Sequence, residues 1–225
     1  MNNSHEVHQL KTFSLGFSNY SYIIMDKASK SAVVIDPSWE YKKLVHKFSQ
    51  LDIKIDAILL THSHYDHINQ VDPLIKSFNP QVYMSREEIK FSGFKCRNLN
   101  QLNDLDEIWI GETKIMCLLT PGHSPGSMCY LTQDSLFTGD TVFIEGCGAC
   151  NFIGGSAEAM FDSIQRIKAI LQPDMRIYPG HSYGHSPGQT GDFLLRNNIY
   201  FQFSRKESFV QFRMRRNQRG LFNFK

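Results

Sequence analysis

Residues 61–67 read Thr61, His62, Ser63, His64, Tyr65, Asp66 and His67, so THSHYDH places three imidazoles and a carboxylate within seven positions. Directly upstream, KIDAILL (residues 54–60) is a short apolar run with the spelling of a buried strand. In an extended backbone leaving that strand, His62 and His64 are two apart, so their side chains project from the same side and can grip one ion. If a helix begins soon after, Asp66 and His67 occupy its first turn and aim at a neighbouring position. The stretch therefore predicts two adjacent metal positions, and imidazole with carboxylate suits zinc, and also manganese or iron.

The remaining ligands must come from elsewhere in the chain. Three segments offer them, each at a predicted strand end beside glycine: His123 in TPGHSPGS, Asp140 in LFTGDTVF and His181 in IYPGHSYG. Glycine next to a ligand lets the backbone approach closely and turn sharply. The tetrapeptide HSPG occurs twice, at His123 and His185. His181 follows a strand directly whereas His185 lies four residues into a loop, so His181 is the expected ligand. His5, His8 and His46 lack such a setting and read as ordinary polar residues.

Outward from these segments the chain alternates strand and helix signals. NYSYIIMD and SAVVIDP read as strands around the turn KASK, followed by a helix capped by Ser38 with Trp39, Leu44, Val45, Phe48 and Leu51 near helical spacing. A second helix is expected in INQVDPLIKSF. The middle reads as short strands, EIWI, TKIMCLLT, SMCYLT and SLFTGD, and residues 156–171 as a helix stopped by Pro173. Strand blocks with helices between them predict an α/β architecture of two sheets covered by helices. At 225 residues and 41% apolar composition, one sizeable domain with a small appendage is expected.

Five scattered cysteines fit reduced thiols better than a disulfide framework, and Cys147-Gly148-Ala149-Cys150 lacks both the second ligand pair of a structural zinc site and the context of a redox motif. The N-terminus lacks the basic start and apolar run of a secretory signal, and no stretch has the length and apolarity of a membrane span, so a cytoplasmic protein is expected. Net charge is +2, with +6 of it in residues 204–225 and about −4 over the rest. Phe209, Phe212, Arg216 and Arg219 fall near helical spacing, so the tail is expected to be a terminal helix whose aromatic side packs on the body.

Taken together, AVVIDPS, THSHYDH, TPGHSPGS, FTGDTVF, GCGACNFIGGSAEAMFDSI, YPGHSYG and GDFLLRNNIYF resemble, in this order, the metallo-β-lactamase-fold hydrolases of the glyoxalase II-like branch. Within it the likeness is strongest to stand-alone zinc hydrolases of bacillaene-type polyketide clusters. The resemblance implies a metallo-β-lactamase αββα sandwich over residues 1–191 and a short helical, basic C-terminal tail over residues 192–225. It implies two zinc ions, with iron or manganese as alternatives. The first would be held by His62, His64 and His123, the second by Asp66, His67 and His181, with Asp140 bridging. A metal-bound hydroxide would then attack a thioester, with Asp66 as the catalytic residue that orients it or takes its proton. Tyr183 matches a substrate-binding tyrosine of the family. Ala149 and Asn151 stand where glyoxalase II carries a cation and a tyrosine that hold glutathione.

The expected substrate is accordingly an acyl group on the phosphopantetheine arm of an acyl carrier protein, with no nucleic-acid or membrane partner. The basic tail, including Arg213, Arg215 and Arg216, would steer an acidic carrier. The rival expectations are a glyoxalase II-type hydroxyacylglutathione hydrolase, an iron-dependent persulfide dioxygenase and a non-catalytic carrier-binding protein.

Overall fold

A computed structural model describes residues 3–14 and 16–215. The first sheet is built from β1 (His5–Ser14), β2 (Phe17–Asp26), β3 (Ser31–Ile35), β4 (Lys54–Leu59), β5 (Gln81–Ser85) and β6 (Leu99–Leu102), in that spatial order. The first three strands pair antiparallel, and β3 through β6 run parallel. The second sheet takes β7 (Glu107–Ile110), β8 (Thr113–Leu119), β9 (Met128–Leu131), β10 (Ser135–Gly139), β13 (Arg176–Pro179) and β14 (Gln189–Thr190), in the order β14-β13-β10-β9-β8-β7. A short hairpin, β11 (Val142–Phe143) and β12 (Gly146–Cys147), follows β10.

Alternation along the strands creates the layers, because successive side chains face opposite sides of a sheet. Tyr22, Ile24, Val33, Ile35, Ala57 and Leu59 of the first sheet meet Ile115, Cys117, Met128, Tyr130 and Phe137 of the second. The intervening Ile23, Met25, Ala32, Val34 and Ile58 face outward, against α1 (Tyr41–Leu51) and α3 (Val71–Phe78). On the far side, Cys129, Leu136 and Ile177 lie under α5 (Ala157–Ile170), α6 (Gly191–Asn197) and α7 (Lys206–Arg213). The result is an αββα sandwich. Strands buried on both faces read as unbroken apolar runs, which explains SAVVI and AILL.

Several local expectations change. The first helix is capped at Glu40, not Ser38: the Ser38 hydroxyl is engaged internally, 2.9 Å from Thr12 Oγ1, and Trp39 in a left-handed conformation delays the helix to Tyr41. The strand β1, the strand β6 and the helix α4 (Arg86–Ser92) have no counterpart in the sequence reading. In the tail, Phe209 and Phe212 pack with Phe203 and Tyr200 against α5, as their spacing suggested. Arg216 and Arg219 lie outside the described residues. Arg213 is not a surface charge: it is 3% exposed and its Nε–H donates to the Gly148 carbonyl at 2.9 Å, which removes it from any steering patch. Among the described residues, no helix is long and apolar enough to cross a membrane.

Candidate metal centre

The loops that follow β3, β4, β8, β10 and β13 converge at one edge of the two sheets. His62 and His64 lie just beyond β4, while Asp66 and His67 sit in the single-turn helix α2 (Tyr65–Ile68), as the spacing predicted. His123 arrives between β8 and β9, Asp140 immediately after β10, and His181 two residues past β13. All seven expected ligands meet here. His185 does not; it is an exposed residue paired with Glu145.

Two groups form. His62, His64 and His123 present one nitrogen each, with Nε2 of His62 3.0 Å and Nε2 of His123 2.9 Å from Nδ1 of His64. Asp66, His67 and His181 make the second: Nε2 of His67 and of His181 lie 3.5 and 3.3 Å from Asp66 Oδ2. Asp140 stands between them, 3.7 Å from His123, 3.4 Å from His67 and 3.4 Å from His181. Ligands sharing one tetrahedral ion at roughly 2.0–2.1 Å are about 3.3 Å apart, close to these spacings.

Four of the five imidazoles are oriented from behind. Nδ1–H of His123 donates to the Ala149 carbonyl and Nδ1–H of His181 to the Ser18 carbonyl, both at 2.8 Å. Nδ1–H of His67 donates to Asp36 Oδ2 at 2.8 Å. The Thr61 hydroxyl donates to the same Oδ2, so its oxygen accepts from Nδ1–H of His62 at 3.0 Å. Four rings are thereby left with Nε2 facing inward, the arrangement of metal-bound histidines. The fit to a cation has a direct mark: Nε2 of His67 and Oδ1 of Asp140 are buried and face each other at 3.4 Å, yet neither makes a hydrogen bond. Such orphaned groups are rare in native interiors.

Asp36 also lies close enough to His62 and His67 to count as a ligand. Its carboxylate already accepts Thr61 N–H, Thr61 O–H and His67 N–H, so it serves to orient them. Asp36 was visible in AVVIDPS without a role, and so, in NYSYIIMD, was Asn19, whose amide donates to Asp66 Oδ2 at 2.9 Å and accepts from Trp39. A Cβ at Gly180 would meet Asp140 Oδ1 and His67 Cε1, both at 2.6 Å, which is why glycine precedes His181.

The electrostatics differ between the groups. Burial, reinforced by His67, His123 and His64, drives the His62 pKa well below normal, and burial also lowers His123. Burial alone would lower His67 too, but Asp66, Asp140 and Asp36 outweigh it and raise its pKa to about 9; His181 is raised by Asp140 and Asp66 against the same burial. Burial opposes ionisation of Asp66 and Asp140, yet the neighbouring histidines hold both well below the usual carboxylate range. Burial thus favours the neutral form of His62 and His123, whereas the other group is a carboxylate-rich set that attracts positive charge.

Above them opens a cavity of about 370 Å³ whose walls include Phe17, Phe143, Ala149, Phe152 and Tyr183. The Cys147 and Cys150 thiols are buried in the apolar cluster, and burial raises the pKa of both, to about 11 for Cys150. Neither has the accessible thiolate that redox chemistry needs.

The fold agrees with comparison to known proteins: residues 14–181 match the metallo-beta-lactamase superfamily, and the chain belongs to it. More particularly, it is 57% identical over 225 residues, the whole of both chains, to the "Probable polyketide biosynthesis zinc-dependent hydrolase PksB" of Bacillus subtilis (strain 168). It is 56% identical, again over the whole of both, to the corresponding BaeB of Bacillus velezensis. The crystal structure of ETHE1 from Myxococcus xanthus superposes with a TM-score of 0.80 at 30% identity, covering 91% of this chain and 88% of that one.

Proposed function

We propose that this protein is a zinc-dependent hydrolase of polyketide biosynthesis that cleaves acyl thioesters carried on the phosphopantetheine arm of an acyl carrier protein. The carrying observation is the pair of ligand groups joined by Asp140 beneath a cavity whose described lining contains no lysine or arginine. The printed names of the full-length relatives support zinc, hydrolysis and the biosynthetic setting.

In this reading His62, His64 and His123 would hold one ion and Asp66, His67 and His181 a second, with Asp140 placed between the two groups. Zinc, when bound, lowers the pKa of a water toward about 7 and polarises a carbonyl. Asp66, ionised and aimed by Asn19, accepts the hydrogen bond or proton of the attacking water. Burial raises the Tyr183 hydroxyl far above its normal pKa, so it remains protonated and can donate to an amide carbonyl of the substrate arm. A thiolate is a good leaving group, so no protein acid is needed on that side. Phe17, Phe143 and Phe152 favour an uncharged arm, and no cation among the described lining grips the carboxylates of glutathione.

The test uses metal-quantified protein with acyl-carrier-protein, acyl-pantetheine and glutathione thioesters, measuring free thiol. Faster release from the carrier than from S-lactoylglutathione is expected. The reverse order favours a hydroxyacylglutathione hydrolase, and oxygen uptake with glutathione persulfide by iron-loaded protein favours a dioxygenase; either overturns the reading.

A further inference from the structure

Glu88 is fully buried on α4, outside the ligand groups, and the chemistry above does not use it. An ionised carboxylate in a protein interior is costly unless its oxygens are filled with donors. Here they are filled from two directions. Oε1 accepts Ser63 N–H at 2.9 Å and the Ser63 hydroxyl at 2.6 Å. Oε2 accepts the Ser124 hydroxyl at 2.6 Å and Gly126 N–H at 3.1 Å. Ser63 lies between His62 and His64, and Ser124 follows His123. One carboxylate therefore ties together the two loops, from different sheets, that supply all three nitrogens of the first group.

The local sequence shows that this is a diverted cap. Ser85 and Glu88 spell a capping box, in which the glutamate would normally reach back to the serine N–H. Ser85 does accept Glu88 N–H at 3.0 Å, but the Glu88 carboxylate turns away to the histidine loops, and Ser85 itself donates to the Gly126 carbonyl. The approach is so close that a Cβ at Gly126 would stand 2.0 Å from Glu88 N.

We propose that Glu88 is a positioning residue that preorganises the three-histidine group for its ion by clamping the 63 and 124–126 loops together. The inference rests on the ligand reading of the preceding section. Ligand-orienting partners of this kind typically change metal affinity by about 10–100-fold. In Glu88→Gln, whichever way the amide faces, its NH2 meets a backbone N–H that cannot reverse, of Ser63 or of Gly126, so one arm of the clamp opens. The other group keeps Asp36 and is unaffected.

Zinc-loaded wild-type and Glu88→Gln protein are titrated with a competing chelator, and histidine-ring nitrogen NMR identifies the rings that lose coordination. The expected result is one equivalent of zinc released about 10–100-fold more readily, with His62, His64 and His123 freed while His67 and His181 stay coordinated. Activity should return with added zinc at unchanged KM. The milder Ser124→Ala, which removes one donor and leaves the buried charge with three, should shift the same equivalent in the same direction and covers the case in which Glu88→Gln fails to fold. If the variants lower thermal stability but release both equivalents at the wild-type chelator concentration, Glu88 is only a packing element and the proposal is overturned. A wild-type protein that holds no transition metal would instead remove the ligand reading itself.

Discussion

Asp36→Asn acts most directly on the support of the second ligand group, through His67, and reaches His62 of the first only by way of Thr61. The residue is 2% exposed and left-handed, with φ 45°, a conformation asparagine adopts readily, so the backbone should not move. Of its three accepted hydrogen bonds, Thr61 N–H to Oδ1 survives on the amide oxygen, whereas Oδ2, which accepts from both Thr61 Oγ1 and His67 Nδ1, becomes an NH2. That NH2 must donate to His67 Nδ1, which moves the ring proton to Nε2, the atom facing Asp66 and Asp140. A cation then has to displace a proton held by two carboxylates. The expected loss is about 10–100-fold in affinity, or about 1.4–2.7 kcal/mol, at the equivalent held by Asp66, His67 and His181, with a smaller loss at the first group because Thr61 Oγ1, which accepts His62 Nδ1–H, loses its own acceptor. Chelator competition with ring-nitrogen NMR measures it, whereas Glu88→Gln should act on the first group alone. An Asp36→Asn protein that retains both equivalents at wild-type affinity, with His67 still coordinated through Nε2, refutes the reasoning.

Metal-free protein should lose stability as pH rises: His67 has a folded pKa raised to about 9 from 6.5, so its contribution is complete below 6.5 and lost on passing through about 9. His181 shifts in the same direction, and differential scanning fluorimetry should show Tm falling across that window without metal but not with zinc bound; a rising metal-free Tm contradicts the assignment. Arg213→Gln should destabilise the fold by about 1–3 kcal/mol in chemical denaturation by leaving the Gly148 carbonyl short of its donor, whereas Arg215→Gln, at an exposed position, should stay within about 0.5 kcal/mol. Ala149→Lys adds a cation to the cavity wall while leaving the Ala149 carbonyl in place. It should improve kcat/KM for a glutathione thioester relative to a pantetheine thioester by about two- to fivefold, from an ion pair of about 0.5–1 kcal/mol.

Two of the elements that the sequence reading missed, β1 and β6, share a cause. β1 carries His, Glu, Gln, Lys and Thr among its apolar residues because it is an edge strand beside β2, so the alternation that announces an interior strand is diluted. β6, Leu99–Leu102, is a short edge strand with two polar residues. α4 was signalled by Ser85 and Glu88, a capping-box spelling that the run of neighbouring strands obscured. Among the candidate site residues, the proposed ligands were legible because metal chemistry restricts their identity and puts them at strand ends. Asp36, Asn19 and Glu88 were not, because an orienting residue is defined by what it touches, and their partners lie 31, 47 and 25 to 38 positions away.

Sequence alone determined the buried strands, the three later segments that offer candidate ligands and the preference for His181 over His185, since each follows from local periodicity or from a residue type next to glycine. Tertiary structure decided which nitrogen of each ring faces inward, that Arg213 is buried, and that Asp140 lies between the two groups. Those facts depend on hydrogen bonds and contacts between loops of two different sheets, and no local pattern records where a chain will meet itself.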